Sequence, residues 1–149
     1  MGNWQVSGIL QLRGGLPLTI FASDASGTGS RGARANCNGP ARVFGSSHDA
    51  PDGGLQWFDP SPYEAPSTGT FGTYGIGTVR GPGLRTADVS LQKGFPIHDE
   101  QRIEFRAEFI NFTNTPIYSA PVTFLGPFLG KIMSSQGPRN IQFGLKFYF

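Results

Sequence analysis

Residues 140–149 read NIQFGLKFYF, and Ile141, Phe143, Leu145, Phe147 and Phe149 fall in one phase of a two-residue period. Successive side chains of an extended strand point to opposite faces, so the alternation specifies a strand with one apolar side. The other phase holds Asn140, Gln142, Gly144, Lys146 and Tyr148. Chain ends are normally polar and mobile, yet here the apolar phase runs on to Phe149.

The same period recurs upstream. RIEFRAEF sets Ile103, Phe105, Ala107 and Phe109 against Arg102, Glu104, Arg106 and Glu108. Before it, Ala87, Val89 and Leu91 alternate with Thr86, Asp88, Ser90 and Gln92. Near the start, even positions from Trp4 to Ile20 read W, V, G, L, L, G, L, L, I, a run longer than the usual five or six residues of a globular strand. Gly14, Gly15 and Pro17 are positioned to bend or bulge it. Strands are therefore expected over about 3–21, 84–94, 101–112 and 139–149, with GFPIHDEQ as a short turn and long loops over about 22–83 and 113–138.

Composition agrees with an all-β chain. Of 149 residues, 22 are Gly, 12 Pro and 13 Phe, and only 15% are charged, against roughly 25% in soluble domains. A net charge of +2 with no basic, aromatic-interleaved cluster excludes a nucleic-acid partner. The single cysteine, Cys37, has no partner for an internal disulfide or a metal pair. The first residues lack a positive n-region and a cleavage site, so no signal peptide is read there, and no apolar run reaches the length of a membrane helix.

The order of connections narrows the fold. Long loop, short turn, long loop is the pattern of an outer-membrane barrel, with short turns on the periplasmic side and long loops outside. In that arrangement Trp4, Phe95, Phe147 and Phe149 share the periplasmic end and the apolar side, where an aromatic girdle belongs. An Arg facing lipid at mid-bilayer costs about 2–4 kcal/mol, and every charge of RIEFRAEF avoids that side. Lys93 breaks the rule, but near a strand end its ammonium can snorkel to the interface.

The blocks GNWQVSGILQLRGGLPLTI, WFDP, FGTYGIGTVRGPGLRTADVSLQKGFPI, RIEFRAEFINFTNTPIY and GPRNIQFGLKFYF, in this order, resemble the carboxyl-terminal end of TonB-dependent outer-membrane receptors. The Oar-like group, whose members carry an amino-terminal carboxypeptidase-regulatory-like domain, is the most similar. The resemblance spans nearly the whole chain and implies an antiparallel transmembrane β-barrel fragment: the last four strands of a barrel of about 22, with the plug and TonB-contacting part absent. It also implies residence in the outer membrane of a Gram-negative-type bacterium and uptake of an unidentified solute. The partners implied are outer-membrane lipid, the barrel-assembly machinery, and TonB through the missing amino-terminal part. Gln142, Gly144, Phe147 and Phe149 match the family's carboxyl-terminal assembly signal, which the assembly machinery reads by strand pairing. Arg102, Glu104, Arg106 and Glu108 are expected to face the lumen. From the residues themselves, Trp57, Phe58 and Tyr63 in the first outer loop have two readings: packing of that loop against the barrel rim, which is favoured, and stacking on a sugar or other extracellular ligand.

Other motifs carry less. GTGSRG (27–32) has the letters of a dinucleotide fingerprint, but no helical pattern follows to cradle a phosphate. His48, Asp49 and Asp52 lack a second cluster at metal-site spacing, and His98 with Asp99 and Glu100 reads as a polar turn. No nucleophile frame is present, so no catalytic residue, cofactor or metal is expected and the chain is not read as an enzyme. The alternative from another class is a secreted soluble β-sandwich that binds glycans through Trp57, Phe58 and Tyr63. A self-assembling four-strand anchor would follow a coiled-coil stalk, and no heptad precedes Trp4. Four strands alone leave two unpaired edges, so an open sheet prone to association is expected.

Overall fold

A computed structural model of the chain describes residues 2–45, 53–98 and 101–149. His48, Asp49, Asp52, Asp99 and Glu100 lie outside the described residues. The strands in chain order are β1 (Trp4–Arg13), β2 (Pro17–Leu18), β3 (Asn36–Cys37), β4 (Leu55–Gln56), β5 (Tyr63–Glu64) and β6 (Val79–Arg80). They continue as β7 (Leu84–His98), β8 (Gln101–Ile110), β9 (Ile117–Tyr118), β10 (Lys131–Ile132), β11 (Ser135–Gln136) and β12 (Asn140–Tyr148). The chain divides into two compact units, one of Met1–Arg13, Leu84–Ile117 and Gln136–Phe149, the other of Gly14–Gly83 and Tyr118–Ser135.

The first unit is a wall. Its four long strands form one antiparallel sheet in the order β1-β7-β8-β12, so each strand neighbours the next long strand in sequence. β1, β8 and β12 have 10, 10 and 9 residues, the length a tilted strand needs to cross a bilayer. The outer edges of β1 and β12 have no partner strand among the described residues, so the barrel is not closed.

Three strand ends differ from expectation. β1 stops at Arg13 instead of continuing to residue 21, because its partner β7 begins at Leu84, just after Pro82 and Gly83, and a proline cannot donate to a ladder. The chain then crosses closely over Gly81: a Cβ on Gly15 would lie 1.8 Å from the Gly81 carbonyl oxygen, so this approach needs glycine. β7 runs to His98 instead of ending near residue 94, with a bulge between Pro96 and His98. Pro96 is tolerated because β7 has passed the end of β1 and pairs only with β8. β8 ends at Ile110, where Asn111 adopts φ 54° and turns the chain out of the ladder. Asn111 N–H then donates to the Asp88 carboxylate at 2.8 Å, and Phe112 N–H to the Ala87 carbonyl at 2.6 Å.

Beyond Ile20, the second unit is built from stretches that show no period. Two-residue ladders pair β2 with β6, β3 with β5, and β4 with β10. Its core is Ile20, Ala22, Ala35, Phe58, Tyr63, Val79 and Leu129, with Leu18, Cys37, Trp57, Tyr74 and Leu125 packed around it. Both long connections contribute. Phe21 N–H donates to the Thr123 carbonyl at 2.8 Å, and Trp57 N–H to that of Gly130 at 2.7 Å. Most of the described part of the two expected loops thus belongs to one small β unit with its own core.

Candidate functional site: a two-faced transmembrane wall

Register decides what the wall can do, because a slip of one residue in any strand would exchange its two faces. The pairing keeps every apolar phase together. One side carries the rows Gly8–Val89–Phe109–Ile141, Val6–Leu91–Ala107–Phe143, Trp4–Lys93–Phe105–Leu145 and Phe95–Ile103–Phe147. The other carries Ser7–Ser90–Glu108–Gln142, Gln5–Gln92–Arg106–Gly144, Gly94–Glu104–Lys146 and Pro96–Arg102–Tyr148. Within the apolar side the rings of Phe105 and Phe143 stack with centroids 6.1 Å apart.

Within the first unit, no second layer among the described residues covers this apolar side. Val6 is 69% exposed, Phe143 70% and Leu145 74%. Four strands by eight residues cover about 19 by 26 Å, or ~500 Å². Left in water, such an area would forfeit about 12 kcal/mol of apolar burial, as much as the whole stability of an ordinary domain. Hydrocarbon removes that penalty.

Two charges share the apolar side, Arg85 opposite Leu12 and Lys93 opposite Trp4. They lie eight positions apart on one strand, about 26 Å along it and about 20 Å of height at a tilt near 40°. That separation places one near each boundary of an apolar band about 25 Å tall, where long side chains reach the interface. Lys93 Nζ donates to the Gly2 carbonyl at 2.5 Å and lies 4.8 Å from the Trp4 ring centroid and 5.6 Å from that of Phe95.

Arg102, Glu104, Arg106 and Glu108 all fall on the opposite side. Arg106 pairs with Glu108. Arg102 and Lys146 lie over the Tyr148 ring, at 4.2 and 4.5 Å, and the Tyr148 hydroxyl donates to Glu104 at 3.4 Å. The two strands thus brace their polar residues on one another and keep the charges away from the apolar side.

Of the carboxyl-terminal residues, Gln142 and Gly144 lie on the polar side, while Phe147 joins the apolar side and stacks on Phe149 with centroids 5.9 Å apart. A Cβ at Gly144 would sit 4.0 Å from the Arg106 Cβ, an ordinary contact, so packing within the sheet does not demand glycine there.

Of the two readings of the first-loop aromatics, burial favours packing over ligand contact. Phe58 is 1% exposed and Tyr63 6%, packed edge to face with centroids 5.8 Å apart, so neither offers a ring to a ligand. Trp57 is half-buried and its indole N–H donates to the Arg80 carbonyl at 2.7 Å. These aromatics build the core of the second unit. Burial holds the Tyr63 hydroxyl well above the ordinary tyrosine range, reinforced by its hydrogen bond to Tyr74 Oη at 3.3 Å. On the surface of the same unit, hydrogen bonds from Ser26 and the Ser30 N–H lower the Asp24 carboxyl. Sequence reading missed Asn111 and Asp88, which together end β8; the Asn-rich NFTN following an alternating run was the available signal.

No helix among the described residues is long and apolar enough to cross a membrane, so any crossing is made by strands. No curated protein and no solved structure matches the chain. A family model described as outer membrane beta barrel domain matches residues 1–142. Transmembrane-length antiparallel strands with one apolar side agree with that match, and the chain belongs to the outer membrane beta barrel domain family and resides in the outer membrane.

Proposed function

We propose that the chain is the closing section of a TonB-dependent receptor of the Oar-like group, part of a larger barrel that takes up a solute. The supporting observation is the register, which aligns four transmembrane-length strands into one apolar side and one polar side while leaving both outer edges without a partner strand among the described residues. Unpaired backbone in hydrocarbon costs several kcal/mol per group, so those edges call for further strands. In this reading Arg102, Glu104, Arg106 and Glu108 line the lumen, and the long connections over about 22–83 and 113–138 are the outer loops. The segment ending in Gln142, Gly144, Phe147 and Phe149 is the strand the assembly machinery recognises. The chain is then a wall and not an enzyme.

Two experiments test this. The gene should encode, in frame with this chain, a plug and the remaining strands; a reading frame without them overturns the receptor assignment. Deleting residues 147–149 should abolish outer-membrane insertion in cells; unchanged insertion would remove the assembly role. The soluble glycan-binding reading loses its support with the burial of Phe58 and Tyr63.

A further inference from the structure

We propose that Lys93, with Trp4 and Phe95, forms a binding site for the phosphate of a glycerophospholipid headgroup, in the leaflet at the short-turn end of the wall. The inference rests on the outer-membrane placement of the apolar side. An ammonium has three N–H donors, and the Gly2 carbonyl takes one at 2.5 Å. The other two have no acceptor among the described residues.

The surroundings favour an anion. No carboxylate among the described residues lies on the rows of the apolar side; Glu104 and Glu108 occupy the opposite face. The ammonium lies over the Trp4 and Phe95 rings at 4.8 and 5.6 Å, two cation–π contacts that favour this position for the charge. Indole is the side chain that prefers the headgroup level, with an apolar body for the acyl region and an N–H for the wet side. A phosphate oxygen would complete the two remaining donors as charge-assisted hydrogen bonds.

The test uses the chain in the longest form its gene encodes, purified in non-ionic detergent with phosphatidylglycerol or the phosphate-free monogalactosyl diacylglycerol, and read by native mass spectrometry. Wild type should retain phosphatidylglycerol in preference to the galactolipid. Lys93→Gln removes both charge-assisted hydrogen bonds and should lower that retention at least about tenfold, and Lys93→Arg should restore most of it. Equal retention of both lipids by wild type overturns the site and leaves the wall's lipid contact standing; retention of neither defeats both. Retention by Lys93→Gln equal to wild type, or displacement of the lipid by an equal concentration of inorganic phosphate, also overturns the assignment. The wild-type comparison of two lipids needs no variant, so misfolding of Lys93→Gln cannot shelter the proposal.

Discussion

The wall and the loop unit use similar residues in opposite senses. In the loop unit, Phe58, Ile20 and Val79 are fully buried among one another. In the wall, Phe143, Leu145 and Val6 are largely bare to whatever surrounds the protein. Apolar side chains follow the lower-energy medium, so the difference identifies two solvents: a protein interior for one unit and hydrocarbon for the other. Substitutions should therefore behave differently in the two places.

The largest contrast comes from deleting a ring. Phe58→Ala should destabilise the loop unit by about 3–5 kcal/mol, because a rigid core collapses only partly around the void. Phe143→Ala should cost about 2 kcal/mol, since lipid chains fill the space and only the transfer component is lost. Limited proteolysis of residues 53–83 and heat unfolding of the wall read the two effects. Equal costs would erase the distinction between the media.

Charge sharpens the wall itself. Val89→Arg should destabilise the lipid-inserted protein by about 2–4 kcal/mol, while Ser90→Arg, one residue away on the other side, should stay within about 0.5 kcal/mol. Urea unfolding in lipid vesicles measures both; a reversed order would mean that the faces are exchanged.

Steric and titration effects probe the loop unit on a smaller scale. A Cβ at Gly72 would lie 1.7 Å from the Arg34 carbonyl oxygen, so Gly72→Ala should force the backbone apart and cost about 1–3 kcal/mol, read by the same proteolysis. Tyr63→Phe should cost about 1 kcal/mol by removing the hydrogen bond to Tyr74. The Tyr63 hydroxyl is raised above 10.0 in the folded unit and takes its ordinary value when unfolded. Its contribution to stability is thus complete below about pH 10 and declines as pH rises towards the folded value, where the unfolded form alone ionises. Alkaline unfolding followed by Trp57 fluorescence should shift to higher pH in Tyr63→Phe; no shift would mean that another group governs it.

The wall was legible because one physical rule, the two-residue period, extends over whole strands: RIEFRAEF and NIQFGLKFYF needed only their alternation to be placed, and the pairing aligns them phase for phase. Their limits were less legible, since they depend on partners: β1 stops where β7 has no residue to offer, and β7 passes Pro96 because β1 has already ended. Beyond Ile20 the loop unit left no periodic trace. Its ladders are two residues long, and its core joins Phe58 to Leu129 across a sequence gap no local pattern spans. Aromatics on such a stretch are open to both a packing and a ligand-platform reading until their burial is known, which is why Phe58 and Tyr63 carried two readings.

The most direct measurement is spin-label accessibility in lipid vesicles, in a Cys37→Ser background, with labels at Val89, Phe105 and Leu145 on one side and Ser90, Arg106 and Gly144 on the other. Hydrocarbon contact predicts that the first three relax with dissolved oxygen and are shielded from a water-soluble nickel chelate, and that the second three show the reverse. Labels at Val89, Phe105 and Leu145 shielded from both reagents would place those residues against protein and contradict the account.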